Sequence, residues 1–253
     1  MKGFYKKNKL AFALVWIGVY VVVMSAADAI SVAAGIEKVI TAPLAVILSA
    51  FLFVWAKRTN LSEEYGLKKG EFPPKTYLYF LPIIATISVN FWGGLTLRYT
   101  ALETVCFVSS MLCVGFLEEL VFRGFLFKAL CKENVTVAIV VSSLTFGFGH
   151  IVNLLMGAEI LPTLLQIAYA SAAGFAFTII FYQSGSLLPC IVAHAAMNVT
   201  SVFAADAGIA LHIASSIFLV VVFSLYAVWI LKAGDKVDEQ KQSSQEIDEN
   251  EGV

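Results

Sequence analysis

Glu118, Glu119 and Arg123 lie in the stretch GFLEELVFRGFLF, residues 115–127, which is otherwise as apolar as a membrane span. A charged side chain at mid-membrane costs about 3 kcal/mol or more, so it persists only when paired, solvated or needed. On an α-helix, Glu119 and Arg123 are four residues apart and share a face, whereas Glu118 is five residues from the arginine and points elsewhere. The expected ion pair is therefore Glu119–Arg123. Glu118 is left as a carboxylate that becomes a candidate general base if a histidine and a water stand beside it.

Two of the three histidines sit in apolar stretches. In SSLTFGFGHIVNLL, His150 follows Phe146 by four residues, so a ring lies one helical turn below the imidazole. In LLPCIVAHAAMNVTS, His194 and Asn198 share a helix face and offer N–H donors of the kind that stabilise an oxyanion formed from a peptide carbonyl. The third, His212, falls near the end of the last apolar stretch and reads as an interfacial residue. Taken singly, the Glu–Arg pair could clamp helices, and His or Asn could supply interhelical hydrogen bonds. Together, on three different spans, they point to one shared site. One Glu and two His can also ligate zinc, although the HExxH spacing is absent, so no cofactor is expected and zinc stays open as an alternative.

The elements that must position these residues are membrane helices. Of the 253 residues, 59% are hydrophobic and only 14% charged, against about 25% charged in a soluble domain. Apolar stretches of spanning length fall at roughly 10–34, 40–56, 76–93, 102–127, 135–155, 161–183, 186–205 and 209–231. The expected fold is all-α: a polytopic bundle of about eight transmembrane helices, residues 1–231, with a membrane-embedded polar cavity. The first stretch resembles a signal peptide but is long enough to span, and it reads as a retained helix. The tail, 232–253, lacks apolar periodicity and is expected to be disordered and cytoplasmic.

Lysine and arginine set the expected orientation. Only Lys38 and Arg98 fall on the side opposite the N-terminus, Arg123 lies within a span, and all the others fall on the N-terminal side. Both termini are then cytoplasmic, in a plasma membrane. Cys106, Cys113, Cys131 and Cys190 form no CxxC pair and read as small buried hydrophobes. The net charge of -1 lends nothing to nucleic-acid binding. No internal repeat is visible, which weakens a transporter using Glu118 and His150 as a proton relay.

EELVFR as EExxxR, FGFGH as FxxxH and HAAMN as HxxxN, in that order on successive helices, resemble the three motifs of the CPBP family of intramembrane proteases, also called the ABI or type II CAAX prenyl endopeptidase family. The resemblance covers roughly 60–205, its motifs about 102–205. It implies an eight-helix bundle around a water-accessible cavity open to the cytosol. Glu118 and His150 would activate the hydrolytic water, and His194 and Asn198 would bind the oxyanion. Glu119, Arg123 and Phe146 would support the site. The implied substrate is a membrane-associated peptide or protein, prenylated in some members. A non-catalytic scaffold or bacteriocin-immunity protein of the same family is the alternative. Neither the substrate nor the oligomeric state can be read from the sequence.

Overall fold

The computed structural model describes residues 1–69, 81–206 and 208–251, with side chains as far as Lys232. The helices are α1 (Lys2–Lys7), α2 (Lys9–Ala33), α3 (Thr41–Arg58), α4 (Leu81–Ser88, extended by a 3-10 turn, Val89–Phe91), α5 (Ala101–Glu118), α6 (Lys128–Leu130), α7 (Val135–Gly149), α8 (Val152–Leu155), α9 (Ile160–Ser184), α10 (Leu188–Ser201) and α11 (Gly208–Glu251). Between α5 and α6 the chain does not break but widens into a π-helix, Glu119–Phe127. Among the described residues no strand forms; one isolated bridge joins Leu95 to Ala204.

Helix ends follow the local sequence. Asn8 and Asn134 accept from the backbone N–H three residues on, starting α2 and α7. Thr100 and Glu103 make a reciprocal capping box at the start of α5. Gly185, with φ 64, ends α9 in the left-handed conformation that glycine adopts freely, and α10 starts three residues later with Pro189 in its first turn.

Among the described residues, six helices are long and apolar enough to cross a membrane: Lys9–Ala33, Thr41–Arg58, Ala101–Leu130, Val135–Leu155, Ile160–Ser184 and Gly208–Lys232. The chain is a helical membrane protein. At the two other expected spans the helices are shorter. Of the expected 76–93, residues 76–80 lie outside the described residues and the remaining apolar helix is Pro82–Phe91. The expected 186–205 is α10, with 14 residues. At 1.5 Å per residue it falls short of a hydrocarbon core of about 30 Å. It can be short because it packs inside the bundle against α5 and α4. The sequence predicts a disordered tail from 232; the backbone of α11 is helical to Glu251, while its apolar part stops at Lys232.

The bundle has two distinct ends. At the basic end, Lys9 of α2 pairs with Glu64 beyond α3, Ser186 donates to the Lys68 carbonyl at 2.6 Å, and Lys128 lies over the Phe181 ring near the end of α9. At the far end, Lys38 bridges to Asp28, the Glu37 N–H donates to Glu103, and Thr96 N–H donates to the Phe203 carbonyl.

Small residues let α7 and α9 approach closely. A Cβ at Gly147 would lie 2.8 Å from both the Ile167 carbonyl and the Ser171 amide nitrogen, and one at Gly174 would lie 3.0 Å from the backbone of Ser143. Gly147 stands three residues before His150, so this contact also sets the histidine's position. Gly147→Ala should push the helices apart and destabilise the fold by about 1–3 kcal/mol. Gly18→Ala, with nothing within 4 Å of the added carbon, should be neutral or stabilising by up to about 1 kcal/mol. Thermal unfolding of the detergent-solubilised variants reads both.

Candidate active site

The site is built on one fully buried ion pair. Arg123 Nη1 donates to Glu119 Oε1 at 3.1 Å, and both side chains have 0% exposure. This is the predicted pairing, made within the π-helical turn. The guanidinium carbon lies 4.2 Å from the centre of the Phe146 ring on α7 and 5.9 Å from that of Phe177 on α9. Arg123 Nε and Nη2 have no hydrogen-bond partner. The two aromatic rings give the buried cation its electrostatic company instead.

His194 joins the pair from α10. Its Nδ1 is 2.9 Å from Glu119 Oε1 and its Nε2 is 3.4 Å from Glu118 Oε2. The ring is buried, edge-on to Phe146 at 5.6 Å and tilted against Phe177 at 6.1 Å. Only an imidazole carrying both ring protons can donate toward both carboxylates.

Glu118 is not the orphan that the helix angle suggests. Tyr20, from the middle of α2, donates its hydroxyl to Glu118 Oε1 at 2.6 Å, while His194 stands at the other oxygen. Its side chain retains 13% exposure, and that exposure is to a cavity of about 150 Å³, large enough for several waters. Tyr20, Met24, Ser25 and Asp28 of α2 line this cavity, with Glu118 and Phe122, and with Phe146, Gly149, His150 and Asn153 from α7 and α8.

His150 caps the end of α7. Its Nδ1 lies 3.2 Å from the Phe146 carbonyl and 3.3 Å from that of Gly147, so the proton of the neutral ring sits on Nδ1. Nε2 then carries the lone pair. The edge contact with Phe146, 5.5 Å between ring centres, is the predicted one-turn stacking.

The cavity thus brings together Glu118 and His150, while Glu119, Arg123 and Phe146 form the packed wall behind them. His194 and Asn198 do not line it. His194 has both nitrogens turned to glutamates, and Asn198, one turn further along α10, is half-buried, its carbonyl accepting from Ser201. Among the described residues, no three His, Cys, Asp or Glu side chains form a group that could hold a metal ion.

Residues 100–200 match the family described as type II CAAX prenyl endopeptidase Rce1-like. Over these residues the chain is similar to that family. No curated protein and no solved structure matches it. The matched segment runs from the cap of α5 to the end of α10, so it contains all three sequence motifs.

Tyr20 and Asp28 lie outside that segment, and the sequence reading missed both. Asp28 carried a signal, a carboxylate within a predicted span. In the structure it is bonded to Lys38 and Thr41 at the far end. Tyr20 carried none, because a tyrosine in an apolar helix looks like any other aromatic.

Removing the cation should be more harmful than removing the whole pair. Arg123→Met leaves Glu119 buried against His194 alone, and a broken buried pair costs about 3–5 kcal/mol. The double variant Glu119→Gln with Arg123→Met should recover part of that loss, measured as the unfolding temperature in detergent.

Proposed function

We propose that this Rce1-like protein is an intramembrane endopeptidase in which Glu118 and His150 activate water. The observation that carries this reading is that these two residues, from different helices, line one cavity with room for several waters, with His150 Nδ1 turned to the α7 carbonyls and Glu118 held by Tyr20. Water between them gives up a proton to Glu118 as its oxygen attacks the scissile carbonyl, and the carbonyl π electrons move to the oxygen. Collapse of that tetrahedral oxyanion expels the amine, which takes the proton back from the glutamic acid.

The oxyanion roles that the resemblance implies for His194 and Asn198 belong to the same proposal. They require one His194 N–H to leave its carboxylate when substrate enters. An oxyanion donor contributes typically about 3–4 kcal/mol, so loss of Asn198 should cost less than loss of Glu118.

The charge distribution supports a plasma-membrane protein with both termini cytoplasmic, since the basic end carries all but Lys38 and Arg98 of the cations outside the spans. The substrate is proposed to be a membrane-associated peptide or protein.

The test compares peptide termini in membranes of cells carrying the wild-type chain or Glu118→Gln at matched expression. New termini present only with the wild type, and unchanged by chelators, support a metal-independent protease. Identical termini with a retained phenotype would contradict it and favour a scaffold or immunity protein, in which the buried cluster only clamps helices.

A further inference from the structure

A second cavity, of about 280 Å³, shares no lining residue with the one that holds Glu118 and His150. It stands where the end of α4 and the loop after it meet the loop between α10 and α11 and the first three turns of α11, with Tyr169 of α9 in its wall. The two loops are tied together. Thr96 N–H donates to the Phe203 carbonyl at 2.9 Å, and Ala205 N–H donates to the Gly94 carbonyl at 3.0 Å. Arg98 and Asp206 extend from this bonded pair of loops, so the backbone fixes where their side chains start.

Both charged residues line the cavity. Among the described residues neither belongs to an ion pair, with the other or with any third side chain. Asp206 Oδ1 accepts from the Gly208 N–H at 3.0 Å, at the start of α11, and its second oxygen is left over. Asn90 donates both amide protons to α10, to the Met197 carbonyl at 2.9 Å and to Thr200 Oγ1 at 2.8 Å, so its Oδ1 remains as an acceptor. The wall thus carries an uncommitted cation, an uncommitted carboxylate oxygen and a carbonyl acceptor. A simple anion would be drawn to Arg98 and repelled by Asp206, and a simple cation the reverse. A ligand carrying both signs satisfies both.

The surroundings say what carries those charges. On the Arg98 loop, Leu95 and Leu97 are 67% and 79% exposed, and Trp92 is 42% exposed. Apolar side chains and a tryptophan on a loop beside membrane helices suit the lipid interface. The guanidinium fork matches phosphate oxygens, and charged pockets between membrane helices bind lipid head groups. We propose that this cavity binds a zwitterionic phosphoester with a primary ammonium, the head-group chemistry of an ethanolamine phospholipid. Arg98 takes the phosphate, Asp206 and Asn90 Oδ1 take the ammonium, and Leu95 and Leu97 lie against the acyl chains. The site is separate from the proposed protease centre, and nothing in it depends on hydrolysis.

The experiment adds lipids with identical acyl chains to the delipidated full chain in detergent and reads the bound fraction by native mass spectrometry. Phosphatidylethanolamine, phosphatidylglycerol and diacylglycerol are compared at one concentration, and soluble O-phosphoethanolamine is the arm without chains. The proposal expects phosphatidylethanolamine to bind about two- to fivefold more tightly than phosphatidylglycerol, the weight of one exposed charge pair, and diacylglycerol to bind least. Asp206→Asn, which keeps a capping side chain before α11, should erase the preference for phosphatidylethanolamine over phosphatidylglycerol. Arg98→Gln should lower both phospholipids toward the diacylglycerol level, while Lys132→Gln at the basic end should change nothing. An unchanged unfolding temperature without lipid shows that each variant is folded. Binding of O-phosphoethanolamine as tight as that of the lipid supports the proposal with a free phosphoester as ligand; lipid binding without it supports the phospholipid. Equal binding of the three lipids by the wild type, or a preference that survives both Asp206→Asn and Arg98→Gln, would overturn the proposal and leave an unspecific lipid annulus only.

Discussion

A guanidinium and a carboxylate that see no solvent, in a bundle surrounded by lipid, must find all their company inside the protein. Arg123 and Glu119 find it in each other, in two aromatic faces and in one imidazole. Those partners come from α7, α9 and α10, so the pair can be satisfied only when these helices meet around the π-helical turn that carries it. The cost of leaving either charge alone makes the arrangement close to all-or-none.

The proposed chemistry depends on that constraint. Glu118 precedes Glu119 directly and so leaves the helix in a different direction, into the cavity. His194 bridges the two glutamates and transmits the order of the buried pair to the exposed one. Phe146 contacts Arg123, His150 and His194 together, so a single ring fixes the distance between the clamp and the histidine of the cavity. A π-helical turn at this point is in keeping with the tendency of such turns to occur at functional sites.

Much of this was legible in the sequence because polar residues in apolar stretches carry a strong signal. The Glu119–Arg123 pairing followed from helix geometry alone, and the helical membrane fold from composition and run length. Three features were not legible. The widening of α5 into a π-helix depends on packing against α2 and α7. The shortness of α10 depends on its being sheltered by neighbours, which hydropathy cannot register. Tyr20 becomes a partner of Glu118 only through a tertiary contact across 98 residues.

The claim on which the rest stands is that His194 binds both glutamates at once, which needs a proton on each ring nitrogen, while His150 turns Nδ1 to the carbonyls at the end of α7. The ring-nitrogen ¹⁵N spectrum of the histidine-labelled protein in detergent tests this directly, with signals assigned by His150→Gln and His194→Gln. Two protonated nitrogens on His194 and one on His150, at Nδ1, are predicted. A neutral His194 with one bare nitrogen beside a glutamate would place the proton on a carboxylate and contradict the account.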